Sequence, residues 1–376
     1  MIYLLIAMVS IFISIKVPHW TQDSLRIKNF KIRFNQKGIN RNLLIFLSAL
    51  GPLLLSAFRY GIGTDYFYTY IPQFNLIANG GRSYYEYGFY LLNKIIALFT
   101  DNGQWLIIMT STIFVLLVYH QLFRMAHNYA LSLVIFFLSY NYFVSLNNIR
   151  QSLASAILLL AIDALVRQNK RLLFVFWVVV AGLFHQISVI YLVILIIEKI
   201  SFSSIIYSVI SVGMIGIGRI VLPRLLLVLS AYIPRLALYF NAKELQIYNG
   251  NTIGNLYTLV NVIFMIMLMY IDISSKPDSK ELALNDRKEW EFTKFNQCII
   301  LCICGLDPII PAAYRIVRIF AFSQFLFLPN VLIRFQTNKR NRMILVTVLI
   351  LGMLAVFYQN FIYGAEEVFP YMSIFN

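Results

Sequence analysis

Charged residues are scarce in this chain, and acidic residues are about half as common as basic ones. Only 12% of the 376 residues are charged and 60% are hydrophobic, with 31 lysines and arginines against 16 aspartates and glutamates. A soluble globular domain carries about twice this charged fraction, so the composition excludes a soluble fold. The net charge of +15 could indicate nucleic-acid binding. The basic residues, however, occupy short loops between apolar segments, as the positive-inside rule describes, and we expect no nucleic-acid partner.

Cysteine is also rare, and its placement excludes the usual metal sites. Cys298, Cys302 and Cys304 lie in one apolar segment and lack the pairing with histidine that zinc sites show. Free cysteines in such a segment are most often small buried hydrophobes. The segments predicted to be external contain no DxD pair of carboxylates for a divalent ion, and we find no nucleotide-binding glycine loop. We therefore expect no metal and no cofactor.

What the chain does contain is many apolar runs, each near the roughly 20 residues that a transmembrane helix needs. Only helices and closed barrels satisfy their backbone in lipid, and long runs without alternation argue against a barrel. The predicted fold class is all-α: a polytopic helical membrane protein with about 12 transmembrane helices and outer-face loops, for which a GT-C-like arrangement is one candidate. Residues 1–20 lack a basic start and a small-residue cleavage site, so we expect a retained first span there.

The charge of the loops predicts the orientation. Residues 22–41 carry six basic residues and one aspartate, so this loop should be cytoplasmic and the N-terminus external. Taking residues 1–376 as a single integral membrane domain, alternation then places both termini outside. The spans expected after the first are 42–58, 104–123, 130–147, 149–166, 172–185, 187–199, 203–222, 252–272, 295–313, 315–334 and 343–363.

Three longer segments between these spans are predicted to be loops. Residues 66–103 form an outer loop, and 86–100 within it has the pattern of a short amphipathic helix. Residues 223–251 form a second outer loop. Residues 274–294 are rich in charge and form a cytoplasmic loop.

The first charged cluster on the external side is Arg59-Tyr60-Gly61-Ile62-Gly63-Thr64-Asp65, directly after a predicted span. Its two glycines favour a turn in which backbone N–H groups approach a ligand, and Thr64 and Asp65 would lie beside that ligand. The alternative is that Arg59 extends to the membrane interface and that Asp65 caps the following helix.

The second external cluster lies between two apolar spans. Asn147, Asn148, Arg150 and Gln151 are four polar residues within five positions. Polar groups near the membrane are costly, and a charged one is a functional candidate by default. The alternative is a tight interfacial hairpin without a binding role.

His185 and a pair of arginines complete the external set. Histidine can act as a general base near neutral pH, or it can be a hydrogen-bonded structural residue between helices. Arg315 and Arg318 are spaced i, i+3 and so share one helix face. Two such arginines suit a diphosphate, with lipid head groups as the competing ligand.

These motifs occur in one order along the chain: Arg59-Tyr60-Gly61-Ile62-Gly63-Thr64-Asp65-Tyr66, Asn148-Ile149-Arg150-Gln151-Ser152-Leu153-Ala154, Phe184-His185 and Pro370-Tyr371. In this order the chain resembles the EpsG family, a branch of the Wzy-type oligosaccharide repeat-unit polymerases of bacterial capsule and exopolysaccharide clusters. In the last two-fifths of the chain the resemblance depends mainly on Arg315, Arg318 and the C-terminal motif.

The resemblance implies a metal-independent glycosyltransferase on the outer face of the bacterial plasma membrane. Such a polymerase transfers a growing glycan from polyprenyl diphosphate, typically undecaprenyl diphosphate, to a hydroxyl of an incoming lipid-linked unit. Its leaving group requires cationic stabilisation, and its nucleophile requires a base. The hypothesis assigns Arg150, Arg315 and Arg318 to the diphosphate with Arg59 in support, Asp65 or His185 as the base, and Thr64, Asn148 and Gln151 to substrate binding.

The expected partners are polyprenyl-diphosphate-linked oligosaccharide, the lipid bilayer, and the flippase and chain-length regulator of the same pathway. Two other classes of protein remain open. A lipid-linked oligosaccharide flippase or similar transporter would place charges along a midplane path, often in repeated halves, whereas these charges cluster at one face. A glycan ligase would share the outer arginines and differ in its acceptor.

Overall fold

Helices account for nearly all regular structure in the described part of the chain. The computed structural model describes residues 2–18, 36–232, 255–275, 284–307, 309, 313–335 and 338–375. Within these ranges there is no strand, and an isolated antiparallel bridge joins Arg59 to Ser373. The all-α fold class expected from the sequence is confirmed.

The long apolar runs form membrane-length helices. Within the described ranges, 6 helices are long and apolar enough to cross a membrane, or 8 if each of two bent helix pairs counts as one span. Three shorter apolar helices and one more charged helix lie at the other expected spans. The single helices are Asn40–Ala57, Gln104–Met125, Ile149–Arg167, Ser204–Leu229, Asn255–Ser274 and Lys339–Ile362; the bent pairs are Tyr129–Leu138 with Asn141–Asn147 and Ala313–Ala321 with Gln324–Phe335.

Two compact units divide the helices. The first comprises Met1–Leu160, Val180–Gln186 and Gln359–Asn376, and the second comprises Ala161–Val179 and Ile187–Tyr358. The first unit contains α1 (Ile2–Ile15), α2 (Gln36–Ala57), a π-helical turn (Tyr66–Tyr70), α3 (Ile71–Ala78), α4 (Tyr87–Ala97), α5 (Gln104–Met125), α6 (Tyr129–Leu138), α7 (Asn141–Asn147), most of α8 (Ile149–Ile162) and the end of α9 (Arg171–Phe184).

Small polar residues let the helices of the first unit pack closely. Ser10 on α1 lies 3.3 Å from the Ser48 hydroxyl on α2 and 2.6 Å from the Tyr119 hydroxyl on α5. Tyr142 on α7 donates to the carbonyl of Pro52 on α2 at 2.7 Å. Serine and threonine commonly join membrane helices in this way, since lipid offers their hydroxyls no other partner.

The second unit begins with a π-helical turn (Asp163–Arg167) and the first part of α9. It continues with a 3-10 helix (Gln186–Glu198), of which only Gln186 belongs to the first unit. Five complete helices and most of a sixth follow. These are α10 (Ser204–Ser230), α11 (Asn255–Ser275), α12 (Leu284–Leu306), α13 (Ala313–Ala321), α14 (Gln324–Phe335) and α15 (Lys339–Ile362).

Two predicted loops are shorter than the sequence suggested. The predicted cytoplasmic loop 274–294 becomes helical at Leu284, where α12 begins. Four of its charged residues, Asp286, Glu289, Glu291 and Lys294, are buried. Lys294 lies 3.0 Å from Glu291, Asp286 forms an ion pair with Arg334, and Asn330 donates to Glu289 at 2.6 Å. Charge marked this segment as a loop, but tertiary partners allow buried charges within a helix.

The predicted outer loop 223–251 is likewise helical as far as Ser230, at the end of α10. Pro223 lies inside this helix, which is tolerated when the freed backbone group finds another partner. Residues 233–250 of that loop lie outside the described residues.

Candidate functional site

The glycine turn after α2 packs against the end of α7. Gly61 and Gly63 have φ values of 61° and 86°, a backbone conformation that residues with a Cβ rarely adopt. A Cβ on Gly63 would lie 2.9 Å from Asn147 Oδ1 and 3.0 Å from Asn147 Cα. The same amide oxygen accepts a hydrogen bond from the Asp65 backbone N–H at 2.9 Å. Glycine is therefore required here for close approach between the turn and Asn147.

A carboxylate from the C-terminal segment joins the two asparagines. Glu366 Oε2 accepts from Asn147 Nδ2 at 2.6 Å and from Asn148 Nδ2 at 2.5 Å. Glu366 and Glu367 have φ values of 67° and 49°, which are costly for residues other than glycine. The backbone N–H of Gly63 donates to the Glu367 carbonyl at 3.2 Å, so the C-terminal segment also contacts the glycine turn.

Arg150 lies just after the break between α7 and α8. Asn148 interrupts the two helices, with ψ of 62°, and Arg150 falls in the first turn of α8. Its Nη1 donates to Glu86 Oε2 at 2.6 Å, and its guanidinium lies 4.8 Å from the centre of the Tyr85 ring. The Arg150 side chain is 23% exposed, so the ion pair remains accessible from outside the protein.

The other oxygen of Glu86 faces His185. The distance from Glu86 Oε1 to His185 Nδ1 is 3.5 Å, at the outer limit for a directed hydrogen bond. Gly88 makes this approach possible, because a Cβ there would lie 2.9 Å from the Leu183 carbonyl oxygen near the end of α9. Within the described ranges, neither ring nitrogen of His185 has a hydrogen-bond partner of good geometry, and the residue is 8% exposed.

Electrostatics keep the Glu86 carboxylate charged. Burial alone would raise its pKa, but His185 and the Arg150 guanidinium together outweigh that cost and lower the pKa to about 2. A neighbouring cation favours the ionised carboxylate because it offsets the lost hydration. Glu86 is therefore ionised at neutral pH and pairs with the Arg150 guanidinium. We call Arg150, Glu86 and His185 the charged triad.

Arg59, which was predicted to support substrate binding, lies inside the first unit. It is 1% exposed, and its Nη1 donates to the Ser56 carbonyl and to Ser111 Oγ. Burial lowers the pKa of the guanidinium to about 10, so it stays protonated at neutral pH. Direct contact with a substrate would require Arg59 to leave its partners inside the fold.

The remaining predicted residues of the first unit surround the glycine turn and α8. Thr64 is exposed and accepts from Asn147 Nδ2 at 3.3 Å. Asp65 occupies the N-cap position of the π-helical turn without a side-chain cap bond, and it accepts from the Thr69 hydroxyl at 3.3 Å. Gln151 is buried. The structure thus brings Thr64 and Asp65 to Asn147, while Asn147 and Asn148 share the Glu366 carboxylate.

Arg315 and Arg318 belong to the second unit. Both guanidinium groups lie near the Tyr314 ring, at 5.6 Å and 5.3 Å from its centre. Arg315 Nε donates to the Tyr314 hydroxyl at 3.0 Å. Their common position beside one aromatic ring fits the expected shared helix face.

Sequence reasoning missed Glu86 and Glu366. Glu86 lies at the start of the predicted amphipathic helix 86–100, and Glu366 lies close to the C-terminal motif. The available signal was their rarity: in a chain with only 16 acidic residues, each carboxylate in a predicted external segment is a potential partner for an external arginine. Among the described residues, no group of three or more His, Cys, Asp or Glu side chains could hold a metal ion.

Fold and site together define a class: a multi-pass helical membrane protein with a charged cluster beside its apolar spans. A family model described as the EpsG family matches residues 42–373 of this chain. The chain therefore belongs to the EpsG family, which supports a polymerase-like role in polysaccharide biosynthesis in general terms. No curated protein and no solved structure matches the chain at the significance required.

Proposed function

We propose that this protein is a polysaccharide polymerase of the outer face of the bacterial plasma membrane. It transfers a growing glycan from polyprenyl diphosphate to a hydroxyl of an incoming lipid-linked repeat unit. The observation that carries this proposal is the charged triad, in which an accessible arginine and a histidine share one carboxylate. Orientation rests on the basic loops assigned to the cytoplasm.

Arg150 binds the diphosphate of the donor lipid. A diphosphate leaving group gains negative charge as the glycosidic bond breaks, and guanidinium donors placed at that charge stabilise the transition state. The contact with Glu86 uses Nη1, while a guanidinium offers five N–H donors in a planar fork. Arginines alone can supply this charge, so the transfer is proposed to be metal-independent. Arg315 and Arg318, in the second unit, are proposed to bind diphosphate as well.

His185 is the favoured base for the acceptor hydroxyl. Histidine suits proton transfer near neutral pH, and a buried ring without a well-directed hydrogen bond is rare unless it has a function. Asp65 remains the second candidate, because it is partly exposed beside Thr64. Thr64, Asn148 and Gln151 are proposed to orient the sugar or its phosphates, and Arg59 supports them from within the fold.

The test begins with a strain deleted for this gene, from which lipid-linked glycans are extracted and surface polysaccharide is sized. Single repeat units on lipid at the outer face, with no polymer, are expected. Units confined to the inner leaflet would instead indicate a flippase. Polymer of normal length that stays on lipid would indicate a ligase. The flippase and chain-length regulator of the same pathway are the proposed partners. The purified enzyme is expected to be active without either of them.

A further inference from the structure

Glu86 connects two side chains that the proposed function uses separately. One oxygen contacts Arg150 Nη1 at 2.6 Å, and the other lies 3.5 Å from His185 Nδ1. The backbone N–H of Gln186 also points to that second oxygen, at 3.4 Å. Glu86 itself precedes α4, whose close approach to α9 at Gly88 holds the carboxylate beside His185.

We propose that Glu86 is a positioning residue that holds His185 by its Nδ1 and leaves Nε2 to accept the proton of the acceptor hydroxyl. The inference rests on the proposed polymerase function. A carboxylate on one ring nitrogen selects the tautomer and stabilises the imidazolium that forms when the other nitrogen takes a proton. The Nε2 atom of His185 is buried and makes no hydrogen bond with the described residues, which leaves it available for a substrate group.

The transfer step balances around this arrangement. The acceptor oxygen forms a bond to the anomeric carbon of the donor glycan while its proton passes to His185 Nε2. The bond from that carbon to the diphosphate oxygen breaks, and the electron pair stays on the diphosphate, where Arg150 stabilises the charge. The imidazolium then releases its proton to solvent, which restores the neutral ring.

The simpler alternative is that Glu86 and Arg150 form a purely structural ion pair between α4 and α8. Measurements of kcat and KM distinguish a structural role of Glu86 from a positioning role. A structural pair would lower the amount of folded protein or change donor KM. A positioning role lowers kcat and leaves KM nearly unchanged, because the effect appears only when His185 takes a proton. Glu86→Gln is nearly isosteric, removes the charge and so tests the carboxylate rather than the packing.

The experiment uses the full-length protein in liposomes, with lipid-linked oligosaccharides extracted from the deletion strain as the substrate. We expect Glu86→Gln to lower kcat by about 100-fold, the lower end of what a general base contributes, with KM within about 3-fold of wild type. Glu86→Asp should restore part of the rate because it keeps the carboxylate. Asp101→Asn is the matched control, since this exposed aspartate also loses its charge but should keep the wild-type rate.

The double variant gives the sharpest result. If Glu86 acts through His185, adding Glu86→Gln to His185→Gln should cost nothing more, since residues that act as one unit are not additive. Additive losses, or a wild-type kcat for Glu86→Gln, would overturn the positioning role. If Glu86→Gln does not accumulate, Glu86→Asp with and without His185→Gln is compared in the same way. A wild-type protein that cannot elongate any lipid-linked glycan would refute the proposed function itself.

Discussion

Arg59 and Arg150 were predicted as members of one external site, but their surroundings differ in the structure. Arg59 is 1% exposed and donates to Ser56 and Ser111 inside the first unit. Arg150 is 23% exposed in its side chain and meets Glu86 and two tyrosine rings. A buried guanidinium with internal acceptors stabilises the fold, whereas an accessible guanidinium with one carboxylate partner can exchange that partner for a phosphate.

The backbone around Arg59 supports its internal role. Its bridge to Ser373 is continued by hydrogen bonds from the Tyr60 N–H to the Met372 carbonyl at 3.1 Å and from the Ile374 N–H to the Phe58 carbonyl at 3.0 Å. Arg59 thus lies where the C-terminal segment meets the end of α2. That same segment supplies Glu366 to Asn147 and Asn148, so it contacts both the end of α2 and the second cluster.

The largest expected effect is the loss of catalysis in Arg150→Lys. Lysine keeps the charge but loses the planar fork that binds phosphate oxygens in bidentate fashion. We expect at least about a 100-fold fall in polymerisation rate, measured with purified protein in liposomes. The protein level and the thermal unfolding midpoint should stay near wild type. A near-wild-type rate at normal protein levels would refute the assignment of Arg150 to the diphosphate.

Arg59→Lys should show the opposite behaviour. The shorter cation cannot reach the acceptors of Arg59 with the same geometry, and hydrogen bonds to a charged group contribute about 1.5–3 kcal/mol. We expect a loss of about 2–3 kcal/mol in stability, observed as a lower thermal unfolding midpoint in detergent. The rate per folded molecule should stay within a few-fold of wild type. A stable variant with no activity would show that Arg59 contacts substrate after all.

Gly63→Ala tests the contact between the two clusters. The φ of Gly63 is positive, and a Cβ added there would lie 3.0 Å from Asn147 Cα, so a methyl group does not fit. We expect a destabilisation of about 2 kcal/mol and a reduced rate, because a shift of Asn147 moves the turn that carries Arg150. Gly80→Ala is the matched control: its φ is 79°, but a Cβ there meets nothing within 4 Å. That variant should lose only about 1 kcal/mol, with full activity. Equal effects in both would remove the case for a close contact.

The smallest expected effect is a dependence of stability on acidic pH. The folded state lowers the pKa of Glu86 from its ordinary value of 4.5 to about 2. The folded protein therefore holds this proton less tightly than the unfolded chain. The stabilisation is present above about pH 4.5 and is lost as pH falls toward 2. Thermal unfolding across this range should show a shallower decline for Glu86→Gln than for wild type. Parallel curves would indicate that the charged triad does not persist in solution.

Sequence reasoning located the helices more reliably than the loops between them. Apolar runs predicted α5 to within two residues, because burial in lipid leaves a long and uninterrupted signal. Charged segments were harder to predict. The start of α12 was assigned to a loop, since its charges give no sign that Arg334 and Asn330 would pair with them.

In the candidate site, too, the sequence predicted the residues that have a local signal and missed those that depend on tertiary partners. Arg150 and His185 were identified because a polar residue beside an apolar span is expensive and therefore conspicuous. Glu86 was overlooked because a carboxylate in a tyrosine-rich loop is unremarkable in sequence. Its importance arises only when α4 packs against α9, which depends on the missing side chain of Gly88.

The amino-acid sequence by itself determined that this protein is a helical membrane protein with arginines beside its spans. Hydropathy and loop charge act locally, so they can be evaluated one segment at a time. Only the tertiary structure decided which arginine is buried and which is accessible. It also brought Glu86 to Arg150 across 64 residues. Such partnerships depend on the packing of distant helices and on left-handed backbone at a few positions, and neither leaves a local pattern in the chain.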